Sequence, residues 1–366
     1  MKQAFANKNT VSQELKESVL HLLKQLIATP SFSGGENGTA ELIGDFFRSR
    51  DISFSRAGNN ILAQNKYYDP LKPVILLNSH HDTVKPNPAY TRNPFEATQE
   101  DGKIFGLGSN DAGGALVSLI AVFVHFYPQE NMLYNLVLAA TAEEENSGPN
   151  GIESVLGEIG PVDFAIVGEP TQMHLAIAEK GLLVLDCTST GKAGHAAREE
   201  GINAIYKALQ DIEWFHSFKF PEESELLGPV KMSVTMIQAG SQHNVVPADC
   251  RFTVDIRVNE LYTHEEILDI AGRNVGCEIK PRSLRMRSSS IAADHPIVEA
   301  GKKIGRKCYG SPTTSDQALI PCPSLKIGPG DSARSHSADE FIYVSEIGEG
   351  IDLYTQMLEQ VMIPQN

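Results

Sequence analysis

The chain has 366 residues, of which 41% are hydrophobic and 21% charged, an ordinary composition for a soluble globular protein and a length sufficient for two domains. Its 46 acidic residues outnumber its 31 basic ones, and the net charge of −15 argues against nucleic acid or an anionic membrane as a partner. No apolar run approaches a membrane span, the first ten residues lack a signal-peptide core and the five cysteines are scattered, so we expect a cytoplasmic protein without a disulfide framework.

The first elements along the chain are two predicted helices and two predicted strands. Apolar residues recur at helical spacing over residues 11–27, where Pro30 ends the run, and again over residues 40–47. A short strand is predicted at Asn60–Gln64. The apolar run that begins at Val74 and ends at two histidines and an aspartate predicts a buried strand.

Three polar residues, His80, His81 and Asp82, follow the strand that begins at Val74. In an open α/β sheet the ligand crevice lies outside the carboxyl ends of the strands, so these residues are placed as a functional site would be. His80 and Asp82 share one face of an extended backbone, where a carboxylate can orient a metal-binding imidazole. A polar loop after a buried strand is an equally good interpretation of this stretch alone.

The same pattern recurs, because histidine or acidic residues follow other predicted strands or precede a predicted helix. These residues are Asp111 in a Gly-rich turn before a helix over residues 115–126, Glu143, Glu144 and Glu145 after the strand Asn135–Thr141, Glu169 after the strand Phe164–Val167, and His336 after a strand over residues 324–328. Each has an ordinary explanation, since Asp111 could cap its helix and the acidic triplet could be a solvated loop. Four strands that each lead to a carboxylate or a histidine are hard to assign to chance, and we expect these side chains to converge.

A different pattern between the third and fourth of these strands predicts an inserted domain. Apolar and polar residues alternate in three strands, as in half-exposed antiparallel strands, and residues 278–288 are the predicted fourth strand. Helices follow the first and third strands, which gives the β-α-β-β-α-β order of a ferredoxin-like domain. The chain then returns through a helix predicted over residues 296–308. The predicted domains are a catalytic domain of residues 1–178 and 291–366 and an insert of residues 179–290.

The residues expected to converge supply two histidines and three carboxylates. The set consists of His80, Asp111, Glu144 or Glu145, Glu169 and His336. Nitrogen and oxygen ligands of this kind suit zinc, and also cobalt or manganese. Two such metals about 3.5–4 Å apart need one bridging carboxylate and further ligands on each side, and the count fits with room left for a water. A neighbouring carboxylate could take a proton from that water and give it to a leaving amine, which predicts a hydrolase.

Five short motifs, in order along the chain, resemble the signatures of the M20 metallohydrolases. They are Ser79-His80-His81-Asp82, Gly106-Leu-Gly-Ser-Asn-Asp111, Ala142-Glu143-Glu144-Glu145, Gly168-Glu169-Pro170 and Ser335-His336. The resemblance spans essentially the whole chain and is greatest to the branch of acetylornithine deacetylase and succinyl-diaminopimelate desuccinylase. It implies an α/β, dizinc-peptidase-like catalytic domain with a mixed central sheet flanked by helices, and an inserted ferredoxin-like α+β domain for lid closure and dimerisation.

The resemblance also implies a role for each metal ligand. His80 and Glu169 would bind one zinc ion, and Glu145 and His336 would bind the other. Asp111 would bridge the two ions. Cobalt or manganese could substitute for zinc at such a site.

Further roles follow from the same resemblance. Glu144 would be the general base and acid, and Asp82 would act in catalysis by orienting His80. His195 would reach into the site of the partner subunit and stabilise the developing oxyanion, which implies a homodimer formed through the insert. The candidate substrate-binding residues are Arg257, Asn244 and Lys180.

The implied reaction is hydrolysis of the amide bond of an N-acyl amino acid. N-acetylornithine, N-acetylcitrulline and N-succinylornithine are the candidate substrates, which would place the enzyme in arginine biosynthesis. Succinyl-diaminopimelate desuccinylase and an M20 dipeptidase or aminopeptidase are alternatives on the same scaffold. An alternative of a different class is an inactive, metal-free binding protein, which the complete set of ligand and base positions disfavours.

Overall fold

The structure is a computed structural model that describes residues 10–364 of the chain. Its α-helices are α1 (Gln13–Ala28), α2 (Asn37–Arg48), α3 (Gly114–Phe126), α4 (Ile152–Ile159), α5 (Ala204–Ser217), α6 (His264–Asn274), α7 (Pro296–Lys303) and α8 (Val344–Met362). Its β-strands are β1 (Phe54–Ala57), β2 (Asn60–Gln64), β3 (Val74–His80), β4 (Thr98–Glu100), β5 (Lys103–Phe105), β6 (Asn135–Thr141), β7 (Phe164–Val167), β8 (Leu175–Glu179), β9 (Gly181–Thr190), β10 (Gly194–His195), β11 (Lys231–Ala239), β12 (Val245–Val246), β13 (Asp249–Val258), β14 (Glu278–Pro281), β15 (Ser289–Ser290), β16 (Cys308–Ser311), β17 (Ser324–Lys326) and β18 (Phe341–Tyr343).

The chain folds into two compact units. Among the described residues, the first contains residues 10–177 together with Ile291–Tyr309 and residues 315–364, and the second contains Ala178–Ser290 and Gly310–Thr314. The segment Gly310–Thr314 belongs to the second unit because it bonds to Lys180, whose N–H donates to Ser311 O at 3.1 Å. Residues 310–314 rejoin the second unit through a few hydrogen bonds, which hydrophobic periodicity does not report. The predicted insert of residues 179–290 therefore lacks this segment.

A mixed β-sheet lies at the centre of the first unit, with the strand order β1-β2-β6-β3-β7-β17-β8. Strands β6, β3, β7 and β17 run parallel, and antiparallel pairs flank them on both sides. Every residue of β3, β6 and β7 is buried, as expected for apolar strands covered on both faces. Because β3 and β6 are parallel and His80 pairs with Thr141, the residues that follow the two strands lie side by side. The sheet confirms the predicted fold class.

Helix α3 packs in the core of the first unit. The window Ser109–Phe126 has a mean hydropathy of 1.3, so it is long and apolar enough to cross a membrane, and 83% of it is buried inside the protein. The expectation that no apolar run approaches a membrane span is therefore wrong by length and composition, although the burial is that of a core helix. The N-cap of α3 is Gly113, so the alternative that Asp111 caps the helix is also wrong.

Two predicted element lengths are wrong. The helix predicted over residues 296–308 ends at Lys303, because Gly305 adopts a φ of 81° and the chain then enters β16. The strand predicted over residues 278–288 ends at Pro281, although Arg282 N–H still donates to Val184 O of β9 at 2.9 Å.

The second unit has the predicted ferredoxin-like order. Its antiparallel sheet has the strand order β11-β13-β9-β14, with α5 between β9 and β11 and α6 between β13 and β14. Residues of β9 alternate between buried and half-buried, and its inward side chains Leu183 and Leu185 pack with Phe215 of α5. Thr263 and Glu266 form a capping box that begins α6, an interaction that stabilises a helix by about 1 kcal/mol.

Candidate metal centre

Residues from separate segments converge at the carboxyl edge of the sheet in the first unit. His80 Nε2 lies 3.4 Å from Asp111 Oδ1, 3.7 Å from Glu169 Oε1 and 3.9 Å from Glu144 Oε2. His80 ends β3, Glu144 lies in the loop after β6, and Glu169 follows β7. The parallel strands therefore bring together groups that are distant in the sequence, as the pattern of strand ends predicts.

Asp111 lies between two histidines. Its Oδ1 faces His80, and its Oδ2 lies 3.5 Å from Nε2 of His336, which is itself 3.1 Å from Glu145 Oε2. Two groups of possible metal ligands share this aspartate, and the ligand atoms within each group lie within 4.8 Å of one another: His80, Asp111 and Glu169 form one, and Asp111, Glu145 and His336 form the other. This is the arrangement that a carboxylate bridge between two cations requires.

The backbone around Asp111 holds this position through a non-helical turn. Asp111 lies inside the turn Ser109–Gly113 with φ −117° and ψ 98°, and its peptide bond to Ala112 is cis. Gly108, just before the turn, has a φ of 74°, and a Cβ there would lie 2.6 Å from Thr83 Cγ2. Only glycine fits this position, which is the physical reason for the Gly-rich motif.

The donor set fits a pair of divalent cations. Among residues 10–364, His80 Nε2 is a buried nitrogen without a hydrogen bond of acceptable geometry, although carboxylate oxygens surround it. A buried polar atom without a partner is costly and calls for an explanation, and a metal ion is one that the nearby oxygens of Asp111 and Glu169 support. His80 Nδ1 bonds to the backbone oxygen of Asp82 at 3.0 Å, which fixes the ring with Nε2 toward the cluster.

Asp82 organises more of the site than the sequence predicts. Its carboxylate lies 3.4 Å from His80 Nδ1, and it also accepts hydrogen bonds from the backbone N–H groups of Glu144 at 3.0 Å and Glu145 at 3.1 Å. Ser33 Oγ donates a further bond at 2.7 Å. Burial raises the pKa of Asp82, but the bonds and charge of His80 outweigh it and lower the pKa below its usual value. Asp82 therefore positions both a histidine and the acidic loop.

The clustered acids repel one another. Burial raises the pKa of Glu144 well above its usual value, and the charges of Glu169 and Asp316 add to this effect against the opposing charge of His80. Burial raises the pKa of Glu169 to about 8. The hydrogen bond to Glu145 raises the pKa of His336 to about 9. Cations between these groups would favour the ionised carboxylates and the neutral imidazole, so we expect metal binding to release protons.

A profile of the family described as Peptidase family M20/M25/M40 matches residues 76–360. The chain belongs to this family. Acetylornithine deacetylase of Proteus mirabilis (strain HI4320) is 27% identical to it over 383 residues, which cover 94% of this chain and 97% of that protein. Succinyl-diaminopimelate desuccinylase of Orientia tsutsugamushi (strain Ikeda) is 27% identical over 363 residues, with coverage of 91% and 93%.

Solved M20 structures share the fold of this chain. The YXEP protein of Bacillus subtilis, described as a dinuclear metal-binding peptidase of the M20 family, superposes with a TM-score of 0.71 at 15% identity and covers 95% of this chain and 98% of its own. The resemblance inferred from the five motifs is confirmed. The M20 chain is thus a hydrolase of amide bonds with candidate metal-binding residues.

The remaining predicted residues of this M20 chain lie in the second unit, in two places. His195 is an exposed residue of β10 that pairs with Val245 of β12, and Asn244 O accepts a bond at 3.0 Å from Ala196 N–H. Arg257 lies elsewhere, on β13, and its guanidinium bonds to Asp255 at 2.8 and 3.1 Å. The fold therefore brings His195 and Asn244 close together. Arg257 already forms an ion pair with the carboxylate of Asp255.

Lys180 lies near Arg257 through a shared threonine. Thr314 Oγ1 accepts a bond from Arg257 Nη1 at 3.2 Å and donates one to Lys180 O at 2.8 Å. The Lys180 side chain is buried, with Nζ donating to Pro229 O at 2.5 Å, and burial lowers its pKa. The ammonium group is thus already bonded within the second unit.

Two buried acids near the centre have no counterpart among the predicted site residues. Asp316 accepts a bond from Thr141 Oγ1 at 2.8 Å, and burial raises its pKa to about 6. Glu340 bonds to the backbone around Asp111, and burial raises its pKa to about 8. Neither follows a predicted strand, so the pattern of strand ends could not find them. The only feature of the sequence that could have pointed to Glu340 is its position four residues after the predicted ligand His336.

Proposed function

We propose that the protein is a two-metal amidohydrolase that releases the amino acid from an N-acyl amino acid, with N-acetylornithine as the first candidate substrate. N-acetylcitrulline and N-succinylornithine are the next candidates, and each would place the reaction in arginine biosynthesis in the cytoplasm. The similarity to acetylornithine deacetylase over 94% of the chain supports this choice. The observation that carries the proposal is the pair of distances, 3.4 and 3.5 Å, from the two oxygens of Asp111 to the two histidines.

In this proposal the five ligands hold two zinc ions. His80 and Glu169 bind one, Glu145 and His336 bind the other, and Asp111 bridges them. Bound metals would polarise the substrate carbonyl and make hydroxide available near neutral pH. The shared aspartate and the dinuclear description of the B. subtilis M20 protein support two ions.

Glu144 is the proposed general base and acid. It takes a proton from the attacking water and later donates that proton to the leaving amine. Its side chain is only 13% exposed and lies 3.9 Å from His80 Nε2, beside the ligands but outside both ligand groups.

We propose a homodimer formed through the insert, in which His195 stabilises the oxyanion in the partner subunit. What supports it is a set of exposed apolar side chains on α5 and β11 of the second unit. Tyr206 and Leu209 of α5 are 68% and 52% exposed, and Met236 and Ile237 of β11 are 62% and 58% exposed. Strand β11 pairs with β13 alone in the described part of the chain, which leaves one edge for another strand.

A second candidate is the desuccinylation of succinyl-diaminopimelate. The 27% identity to the O. tsutsugamushi enzyme named above supports it about as well as the deacetylase similarity supports the first candidate. A succinyl group adds a carboxylate, for which Arg257, Lys180 and the amide of Asn244 are the proposed ligands. The existing pairing of Arg257 with Asp255 weighs against a further strong anion site at that residue.

The test is a substrate panel assayed with added zinc or cobalt. Acetyl and succinyl derivatives of ornithine, citrulline, lysine and diaminopimelate would be compared with dipeptides that carry a free amino terminus. We expect the highest kcat/KM with an acetylated ornithine or citrulline. Faster cleavage of succinyl-diaminopimelate would select the second candidate, and faster cleavage of dipeptides would contradict both.

A further inference from the structure

The loop that carries Asp111 presents three backbone N–H groups to one side chain. Glu340 Oε1 accepts from Asn110 N at 2.8 Å and from Asp111 N at 3.0 Å, and Oε2 accepts from Gly108 N at 3.1 Å. Glu340 is 1% exposed. Buried N–H groups need acceptors, and here a single carboxylate serves three of them within four residues.

Strand pairing explains how Glu340 reaches this loop. Strand β18 pairs antiparallel with β5, with Phe341 opposite Phe105, so the residue before β18 lies beside the residue after β5. Gly106 N–H accordingly donates to Glu340 O at 2.9 Å. The backbone of Glu340 is fixed by the sheet, and its side chain then extends along the loop toward Asp111.

The same contact links the loop to the segment that carries His336. Glu340 lies four residues after His336, and Asn110 binds this segment from the other side. The Asn110 amide donates to Asp331 O at 3.0 Å and to Ser335 Oγ at 3.3 Å, and it accepts from Asp331 N at 3.0 Å. The two segments that supply Asp111 and His336 are therefore bonded to each other in both directions.

We propose that Glu340 is a positioning residue that holds the carboxylate of Asp111 in place between His80 and His336, so that one aspartate can serve both cations. This inference rests on the proposed metal centre. Glu340 does not reach the ligand atoms itself, and it acts through the backbone of residues 108–111. Removal of such supporting partners lowers metal affinity by about 10- to 100-fold in other metal sites.

A carboxylate suits this position better than an amide of the same shape. Its two oxygens both accept, whereas a glutamine would place an N–H₂ group against one of the backbone donors. Glu340→Gln should keep the bonds of one oxygen and lose those of the other. Glu340→Ala removes every side-chain acceptor and leaves three buried N–H groups without partners.

Asp339 provides a matched control. Its carboxylate also binds backbone N–H groups, those of Thr91 at 2.9 Å and Arg92 at 3.0 Å, which belong to a different loop from the one that carries Asp111. Asp339→Asn changes the neighbouring residue in the same segment and a bond of the same kind. A general loosening of the segment would affect both variants, whereas loss of the support for Asp111 affects only Glu340.

The test is a cobalt titration of the metal-free protein, followed by visible absorption, with the wild type, Glu340→Gln, Glu340→Ala and Asp339→Asn. We expect cobalt affinity to fall about 10- to 100-fold in Glu340→Gln, with an altered absorption spectrum, and to remain at the wild-type value in Asp339→Asn. Melting of the metal-free proteins checks folding, and Glu340→Gln decides the test if Glu340→Ala does not fold.

The outcomes separate this inference from the proposed function. A wild type that binds no cobalt would overturn the metal centre and the inference together. A wild type that binds two ions, with a folded Glu340→Gln of equal affinity and identical spectrum, would overturn the inference alone. Equal losses of cobalt affinity in Glu340→Gln and Asp339→Asn would also overturn the inference. They would show that any substitution that loosens this segment weakens cobalt binding.

Discussion

The two units hold their charged residues in opposite ways. At the sheet edge of the first unit, buried carboxylates lie close to one another, and burial raises the pKa of Glu169 to about 8. In the second unit, Arg257 is paired with Asp255 and the Lys180 ammonium bonds to a backbone oxygen. Added cations would balance the first arrangement, whereas the charged groups of the second already have bonding partners. A cluster of unbalanced buried charge is therefore the stronger indication of a site.

The largest expected effect is on kcat, from substitution of Glu144, the acid that lies outside both ligand groups. Glu144→Gln should lower kcat by about 10²- to 10⁴-fold while the protein retains its metal, because the amide cannot carry the proton between water and amine. Steady-state kinetics and metal analysis of the purified variant provide the measurement. Glu143→Gln is the control, since the Glu143 carboxylate bonds to Asn150. Near-normal turnover in Glu144→Gln would remove Glu144 from its role.

A smaller effect is expected at Asp82. Asp82→Asn should lower metal affinity or activity by about 10- to 100-fold, since its carboxylate supports His80 and the backbone of Glu144 and Glu145. Asp163→Asn is the control, because Asp163 accepts from Val74 N–H at 3.0 Å at the opposite end of the same strand. Equal effects of the two substitutions would mean that β3 is merely destabilised.

In the second unit the expected change is confined to substrate binding. Arg257→Lys should raise KM by about 10-fold with little change in kcat and no change in metal content, the loss of roughly one hydrogen bond to a charged group. Thr314→Val, which removes a hydroxyl bonded to Arg257, should give a smaller shift in the same direction. An unchanged KM for Arg257→Lys across the substrate panel would remove Arg257 from the binding residues.

The smallest effect is a pH dependence of the metal-free protein. Folding raises the pKa of Glu169 from 4.5 to about 8 and that of His336 from 6.5 to about 9, so the folded state binds more protons than the unfolded state in these ranges. Stability should therefore fall as the pH rises from about 4.5 to about 9. Melting temperatures measured across this range should decrease without metal and change less with zinc. A metal-free protein that becomes more stable from pH 6.5 to 9 would contradict the assignment.

The sequence predicts strands well where the chain is uniformly apolar. Strand β6 at Asn135–Thr141 and strand β7 at Phe164–Val167 have the predicted bounds, since both are short buried runs between polar loops. Predicted lengths are wrong where one residue ends an element, as Gly305 does after α7. Such endings depend on local backbone geometry, which hydrophobic periodicity does not report.

The candidate ligands could be predicted for the same reason, because parallel strands carry their following residues to one edge. The role of Glu340 and the contacts of Asp82 with the acidic loop could not be predicted. Glu340 reaches its place only through the pairing of β18 with β5, and the bonds from Asp82 to the acidic loop depend on the turn after β6. The substrate residues are the least predictable, because Arg257 and Lys180 have ordinary partners that the sequence does not reveal.

The most direct test of the central claim is a crystal structure of the zinc-loaded protein with anomalous diffraction at the zinc edge. The account predicts two zinc peaks about 3.5–4 Å apart, with one carboxylate oxygen of Asp111 on each, His80 on one and His336 on the other. A single peak, or peaks that Asp111 does not bridge, would contradict it.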